Sequence, residues 1–412
     1  MSQRGKRNRL DNKKIMPVLL GGDLNAYSVA LAFREAFGVC SHAFVRYKCG
    51  ATENSAFIKT HICSGLDNTR AMVAELFNFA LQNPESDLYL IPCTDNYLEI
   101  VDEAKSELSK YYNILIPESE MRKKLTDKSL FMKEMEREGI EFPRFVLFSE
   151  KEVITDKKMS EIDYPAVIKP TISAEYWKHP FKKMKKVYFP KNKVEAFDTI
   201  YKIFASGYGE GVILQEKISG EGTQFVLTTF SDKNGSVVRA ALGEVVLEET
   251  GDTSQGNHAA IITAPLDEIS KKLIKYLNKI KYVGFANFDI ISDGNKKYVL
   301  EMNARQGRSS DYLRCAGINI ARLIVDAVKN KSIEPNFDYR EIYWHYPPHK
   351  LVMEYSDSKK LRDAQSLHAK GRSFSPYANS YEGVKRSIYV ALHNYRLKDT
   401  FRKNSEKREN SL

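Results

Sequence analysis

Cysteine is scarce in this chain. Five residues (Cys40, Cys49, Cys63, Cys93 and Cys315) are scattered through 412, odd in number and never spaced as Cys-x-x-Cys. That excludes a disulfide framework and a zinc site of ordinary spacing, and it predicts reduced, mostly buried thiols. No apolar run reaches the roughly 18 residues a spanning helix needs. The basic opening MSQRGKRNRLDNKK lacks the apolar stretch of a secretory signal, so a cytoplasmic protein is expected. Gly-x-Gly-x-x-Gly is missing after the first strand, which argues against dinucleotide binding. Nothing resembles a zinc finger, a helix-turn-helix or the aromatic strands of RNA-binding domains. No nucleic acid is therefore expected as partner, despite a net charge of +10.

What is present reads as a globular protein: 42% hydrophobic and 28% charged residues, with length for two or three domains. The surplus positive charge lies in both tails and in Lys182-Lys183-Met184-Lys185-Lys186, a surface suited to an anionic substrate, a nucleotide or anionic lipid. Residues 1–14 are polar and read as disordered. The strand Ile15–Leu20, the turn Gly21-Gly22-Asp23-Leu24-Asn25 and a helix with Val29, Ala30, Phe33 and Phe37 inward open a doubly wound α/β domain. This loop can hold an acidic amino acid through backbone N–H groups at the helix start, which makes Asp23 and Asn25 substrate candidates, or it is simply a tight turn. A second strand and helix meet at Cys93-Thr94-Asp95, where Asp95 reads as an N-cap.

Thr126 or Asp127 caps a helix that runs to Gly139. The strand Ala166–Pro170 ends in Lys169, unusual because lysine seldom enters a core without a partner. The stretch from Thr171 to Lys186 has no glycine; its polar groups are Ser173, Trp177, His179 and the lysine run. Helix Val194–Ser206 is expected to bury Val194, Phe197, Tyr201 and Phe204. The strand Gly211–Glu216 runs into Lys217-Ile218-Ser219-Gly220-Glu221. Asp252 to His258 reads as a polar loop facing the site.

The pivotal stretch is Gly284–Ser310. GFANFDII and YVLEMN alternate as strands about a turn at Ser292-Asp293-Gly294-Asn295. That hairpin sets Asp289 opposite Glu301. Period-two alternation puts Phe285, Asn287 and Asp289 on one face, and Val299, Glu301 and Asn303 likewise. Two carboxylates facing each other must protonate, separate or bind a cation. Oxygen donors of Asp289, Glu301 and Asn303 suit Mg2+ or Mn2+, with Arg305 in reach of an adjacent phosphate. The bland alternative is a solvated hairpin.

Asp289 followed by Glu301-Met302-Asn303-Ala304-Arg305 resembles the metal-binding signature of the ATP-grasp ligases. With Arg305-Gln306-Gly307-Arg308-Ser309-Ser310, the block is most similar to the D-aspartate ligases of cell-wall synthesis. The likeness runs from about Pro17 to about Val328 and implies the ATP-grasp fold. In that fold a pre-ATP-grasp α/β domain (15–117) precedes two α+β subdomains that clasp ATP (118–213 and 214–335). The resemblance gives Lys128 and Lys169 the ATP phosphates, and Glu216, Lys217 and Ile218 the base. Glu221 takes the ribose, with Thr223 or Gln224 as alternatives. The metal falls to Asp289, Glu301 and Asn303. Arg305 and Arg308 act on the reacting groups, with Ser309 and Ser310 at the substrate. Glycine-poor 171–186 departs from the family's usual phosphate lid. The residue pattern alone implies ATP-dependent amide formation. D-aspartate and a lysine-containing peptidoglycan precursor come from the resemblance. A ligase joining another amino acid to another amine, and a nucleotide- or anion-binding protein without turnover, are the rival readings.

Beyond Pro335 lies a small basic extension (336–412). Glu382–Arg402 reads as a helix with Val384, Ile388, Ala391 and Leu392 inward and Lys385, Arg386, Arg396 and Lys398 outward. Such a helix usually packs on its own protein, but it can also lie on the inner membrane face. His258 and Glu249 are the weakly marked candidates for the base that would deprotonate an amine.

Overall fold

The computed structural model describes residues 13–218, 223–249 and 256–409. Among them, a parallel five-stranded sheet opens the chain: β1 (Lys14–Leu20), β2 (Ser41–Val45), β3 (Ile58–Ile62), β4 (Ser86–Pro92) and β5 (Asn113–Ile114), in the order β3-β2-β1-β4-β5. The order reverses between β1 and β4, so the loops after these two strands diverge and leave a crevice at their carboxyl ends. Both predicted loops, Gly21–Asp23 and Cys93–Asp95, stand there. The helix Leu24–Phe37 is buried all round from Leu24 to Phe33, not on one stripe as predicted. It lies between this sheet and the helices Asp311–Cys315 and Ile320–Val328, so it has no solvent face to make polar.

A small antiparallel sheet follows, β6 (Phe145–Phe148), β7 (Ala166–Pro170) and β8 (Val212–Glu216), ordered β6-β8-β7. The helix Lys193–Ala205 packs on it through Ala196, Ile200 and Ile203. Here the predicted face is wrong. Val194 and Tyr201 are 73% and 61% exposed and Phe197 is also exposed, while Phe204 alone of the four packs against the core. Two apolar stripes compete on this helix, and the one containing alanine permits the closer approach to the strands. The losing ring pair, Phe197 and Tyr201, stacks outside.

The third sheet contains β9 (Thr223–Ser231), β10 (Val237–Glu248), β11 (His258–Ala264), β12 (Gly284–Ser292), β13 (Lys297–Asn303), β14 (Tyr343–His345) and β15 (Ser373–Phe374). Its order is β13-β12-β9-β10-β11-β14-β15. β11 was not expected as a strand. The segment beyond Pro335 adds β14 and β15 to the sheet edge and buries Trp344 completely, its Nε1 donating to Asp311 at 3.0 Å. The five cysteines are free; Cys93 and Cys315 are buried and the other three partly so.

The last described helix, Val384–Glu409, is turned over relative to the prediction. Arg386 is 1% exposed, whereas Val384, Ile388 and Leu392 face outward. Arg386 donates to the carbonyls of Gly50, Ala51 and Glu53 at 2.9, 2.6 and 2.8 Å and lies over the rings of Tyr27, Tyr377 and Tyr389. A guanidinium fork that satisfies three carbonyls and is roofed by aromatic rings offsets its own desolvation. An aliphatic stripe docked there would have left those carbonyls bare. Arg386→Met keeps the volume and removes the donors. Urea denaturation is expected to show a loss of about 3 kcal/mol, against about 0.5 kcal/mol or less for Lys385→Met on the exposed side.

Candidate active site

The β12–β13 hairpin has the expected pairing. Asn287 faces Asn303 and Asp289 faces Glu301. Its turn is made by Asp293, whose Oδ1 accepts from the backbone N–H of Asn295 and Lys296 at 2.8 and 2.7 Å, and by Gly294 at φ 96°. One feature differs. The register slips between Asp289 and Ile290, leaving Leu300 as the extra residue of a bulge. Val299 therefore turns into the core beside Phe288, Ile290 and Met302, not onto the face of Glu301 as predicted. Leu300 instead joins Ile291 in the wall of a cavity.

That cavity, about 190 Å3, lies between the small sheet and the hairpin. Lys128, Lys169, Glu216, Lys217, Ile218, Asp289 and Glu301 all line it. Lys128 is the first residue of the helix Lys128–Arg137. Asp127 caps that helix, its Oδ1 accepting from Ser129 N at 2.8 Å and Leu130 N at 3.0 Å. Lys128 Nζ stands 3.1 Å from Glu301 Oε2 and donates to Ser173 Oγ at 3.2 Å. The Glu216 carboxylate points away to Arg144 at 2.8 Å, which leaves its backbone to the cavity. Glu221 lies outside the described residues. Of the lysine run, Lys186 lines the cavity with Phe189 nearby.

The electrostatics are those of two facing carboxylates ringed by lysines. Burial raises the Asp289 carboxyl well above the usual carboxylate range, and the facing charge of Glu301 adds to it. Burial also pushes Glu301 up, but Lys128, Lys169 and Lys186 more than offset this, so Glu301 titrates below the ordinary range. Burial lowers the Lys169 ammonium. Burial acts on Lys128 in the same direction, but Glu301 outweighs it and holds its charge. Among the described residues no three His, Cys, Asp or Glu side chains converge on a metal position. Asp289, Glu301 and the Asn303 amide form an all-oxygen set that fits Mg2+ or Mn2+, with ligand oxygens completing the shell. A divalent cation would relieve the repulsion between the two carboxylates.

The cavity opens onto a wider cleft of about 990 Å3, with Lys128, Ser173, Lys186, Asp289 and Glu301 in the wall of both. Asn303, Arg305, Arg308 and Ser309 line the cleft from one side, and Arg46, Thr94 and Asp95 from the parallel sheet. Arg305 donates to Asp95 at 2.6 Å. Asp95 is free to accept because Thr94, not Asp95, caps the helix Asp95–Glu103, a correction to the sequence reading. Arg308 pairs with Glu249 and lies over the Tyr346 ring, 5.2 Å from its centroid. The turn carrying both arginines needs Gly307, where a Cβ would sit 2.6 Å from Asn287 Oδ1.

Asp23 caps the helix Leu24–Phe37 through Ala26 N at 3.2 Å. Burial raises its carboxyl against the opposing pull of Arg308 and Arg305. Asn25 is buried, and its amide nitrogen bridges the carbonyls of Cys93 and Gln306 at 2.7 and 3.1 Å. It thus pins the parallel sheet to the arginine turn. Ser310 is buried with its hydroxyl unpartnered among the described residues.

Sequence reasoning missed several lining groups. Gln215, a lone amide in the run VILQE, lines the 190 Å3 cavity with its buried Oε1 unpartnered among the described residues. Glu248 lines it as well, beside Lys186 of the lysine run that the sequence had offered. Residues 252–255 of the predicted polar loop lie outside the described residues, but Gly256, Asn257 and His258 line the cleft. His258 is held neutral: burial and then Lys186 lower its imidazole to about 4. Glu249 is occupied by Arg308 and by Asn257 at 3.2 Å.

Residues 125–309 match the model of the ATP-grasp domain. Over 409 residues the chain is 29% identical to a D-aspartate ligase of Enterococcus faecium, covering 94% of this chain and 96% of that protein. Two solved structures share the fold. One is the biotin carboxylase domain of the Hydrogenobacter thermophilus 2-oxoglutarate carboxylase with MgADP and bicarbonate (TM-score 0.62, 16% identity, 81% of this chain and 74% of that one). The other is an L-amino acid ligase from Bacillus licheniformis (TM-score 0.53, 17% identity, 79% and 78%).

Because Asp289 keeps its proton to higher pH than an ordinary carboxyl, a cation entering here must displace it. Apparent Mg2+ affinity in the presence of an ATP analogue is expected to rise about tenfold per pH unit below the Asp289 titration and to level off above it. Calorimetry in buffers of different ionisation enthalpy would read the released proton. Asp289→Asn is expected to weaken binding and remove its pH dependence; a flat wild-type profile would contradict the proton assignment.

Proposed function

We propose that this chain, whose residues 125–309 match the ATP-grasp domain and which resembles a D-aspartate ligase along nearly its whole length, joins D-aspartate to the lysine side chain of a peptidoglycan precursor. The ATP-dependent carboxylate–amine ligase class follows from the ATP-grasp domain and the full-length likeness to D-aspartate ligase. The substrates are our reading. One observation carries the mechanism: the cavity between the small sheet and the hairpin and the wider cleft share the wall formed by Lys128, Asp289 and Glu301. A phosphate held at that wall therefore opens directly onto a space bordered by Arg305 and Arg308.

A carboxylate is too poor an electrophile to accept an amine near neutral pH. In the proposed reaction one carboxylate oxygen attacks the γ-phosphorus of ATP, the bond to ADP breaks, and an acyl phosphate forms. The amine adds to the acyl carbon, loses a proton, and phosphate leaves as the amide forms. The phosphoryl step depends on alignment and charge balance more than on acid–base groups. Lys128 and Lys169 supply fixed positive charge at the phosphates. Asp289, Glu301 and Asn303 would hold Mg2+, whose chemistry is to neutralise the phosphate oxygens. Arg308, with Ser309 beside it, borders the cleft where the substrate carboxylate would lie, and a guanidinium fork suits that partner. Glu216, Lys217 and Ile218 meet the base through backbone groups, and Gln215 adds an unpartnered amide oxygen toward an amino group.

The deciding experiment supplies ATP, Mg2+, a lysine-containing UDP-muramoyl pentapeptide and either D- or L-aspartate, and reads phosphate release and product mass. A gain of one aspartyl residue with the D form alone is expected, with turnover abolished in Glu301→Ala. Product with a different amino acid would move the chain to another ligase of the same class. Tight Mg-ATP binding without any product would favour the binding protein without turnover.

A further inference from the structure

We infer that the outer face of the helix Val384–Glu409 is a docking surface for an anionic lipid bilayer. Val384, Ile388, Leu392 and Tyr395 are 78%, 59%, 56% and 76% exposed. Their spacings of four, four and three residues keep them on one stripe, about 17 Å long at 1.5 Å per residue. A helix that merely faces water would carry polar residues there. The opposite face is anchored by buried Arg386 and Phe401, so the helix cannot roll to hide the stripe.

Charge selects the occupant. At 100° per residue, Lys385, Arg396 and Lys403 flank one edge of the stripe and Lys398 the other. Between Val384 and Ser405 the sequence has one acidic residue, Asp399, against five Lys and Arg besides the buried Arg386. Arg402 and Lys403 pair with Asp399 at 2.8 and 2.6 Å. An apolar strip edged with cations and carrying an interfacial tyrosine matches a negatively charged bilayer surface. A second copy of the same basic helix would be repelled by those edges. No described helix is long and apolar enough to cross a membrane, so this one would lie along the surface. The inference does not depend on which amino acid or acceptor the protein uses.

Flotation of the full chain with vesicles of phosphatidylglycerol and phosphatidylcholine, or of phosphatidylcholine alone, tests it. Binding to the anionic vesicles is expected, weakened by salt and at least about tenfold weaker on the neutral ones. The double variant Ile388→Glu, Leu392→Glu should lose binding while keeping the wild-type melting temperature and Mg-ATP affinity. The triple variant Lys385→Gln, Arg396→Gln, Lys398→Gln leaves the stripe intact and should bind about fivefold more weakly per charge removed. No binding by the wild type, or equal binding by the double variant, would overturn the proposal. So would a concentration-dependent dimer in ultracentrifugation that the double variant abolishes, without vesicle binding.

Discussion

Two carboxylates forced into register across one strand pair are the constraint that the surrounding structure answers. Asp289 and Glu301 face each other because β12 and β13 are joined by a tight turn and share a ladder. Their repulsion is met from three directions: a lysine from the start of a capped helix, one from the end of β7, and Lys186 from beyond it. Each cation comes from a different segment, so the site exists only where the small sheet and the large sheet close on each other. Burial and the facing Glu301 charge still raise the Asp289 carboxyl, so this pair is where an added cation would be most stabilising.

The parallel sheet contributes by a different route. Its strand order reverses between β1 and β4, and the arginine turn after β13 is stitched into that crevice by Asn25 and Asp95. The stitching is backbone-directed on one side and charge-directed on the other. The cleft wall is thereby tied to elements far apart in sequence. The segment beyond Pro335 serves the same end. It extends the large sheet by two strands and, through Arg386, holds the loop at Cys49–Glu53, whose Cys49 packs on Gly22 beside Asp23.

Much of this was legible in the chain. The hairpin, its register at Asp289 and Glu301, the opening strand–loop–helix unit and a cap at Thr126 or Asp127 follow from alternation, turn residues and capping chemistry, all local effects; the structure chose Asp127. The failures were choices between faces. Helix Lys193–Ala205 has two apolar stripes, and only the strands it meets select Ala196, Ile200 and Ile203. Val299 left its expected face because a bulge at Leu300 shifted the alternation by one, and a bulge has no signal in a single strand's sequence. Helix Val384–Glu409 was inverted because periodicity reports a stripe without saying that three bare carbonyls wait for a guanidinium on the other side.

By itself, then, the sequence determined the local elements and which oxygen- and nitrogen-bearing side chains the hairpin and the turn after it carry. Those depend on side-chain chemistry and on separations of a few residues. Tertiary structure alone decided which cations reach the carboxylates, that Asp95 partners Arg305 across 210 positions, and which helix faces meet water. These outcomes turn on competition among distant groups for one partner or one patch of surface, and no local pattern encodes which competitor arrives.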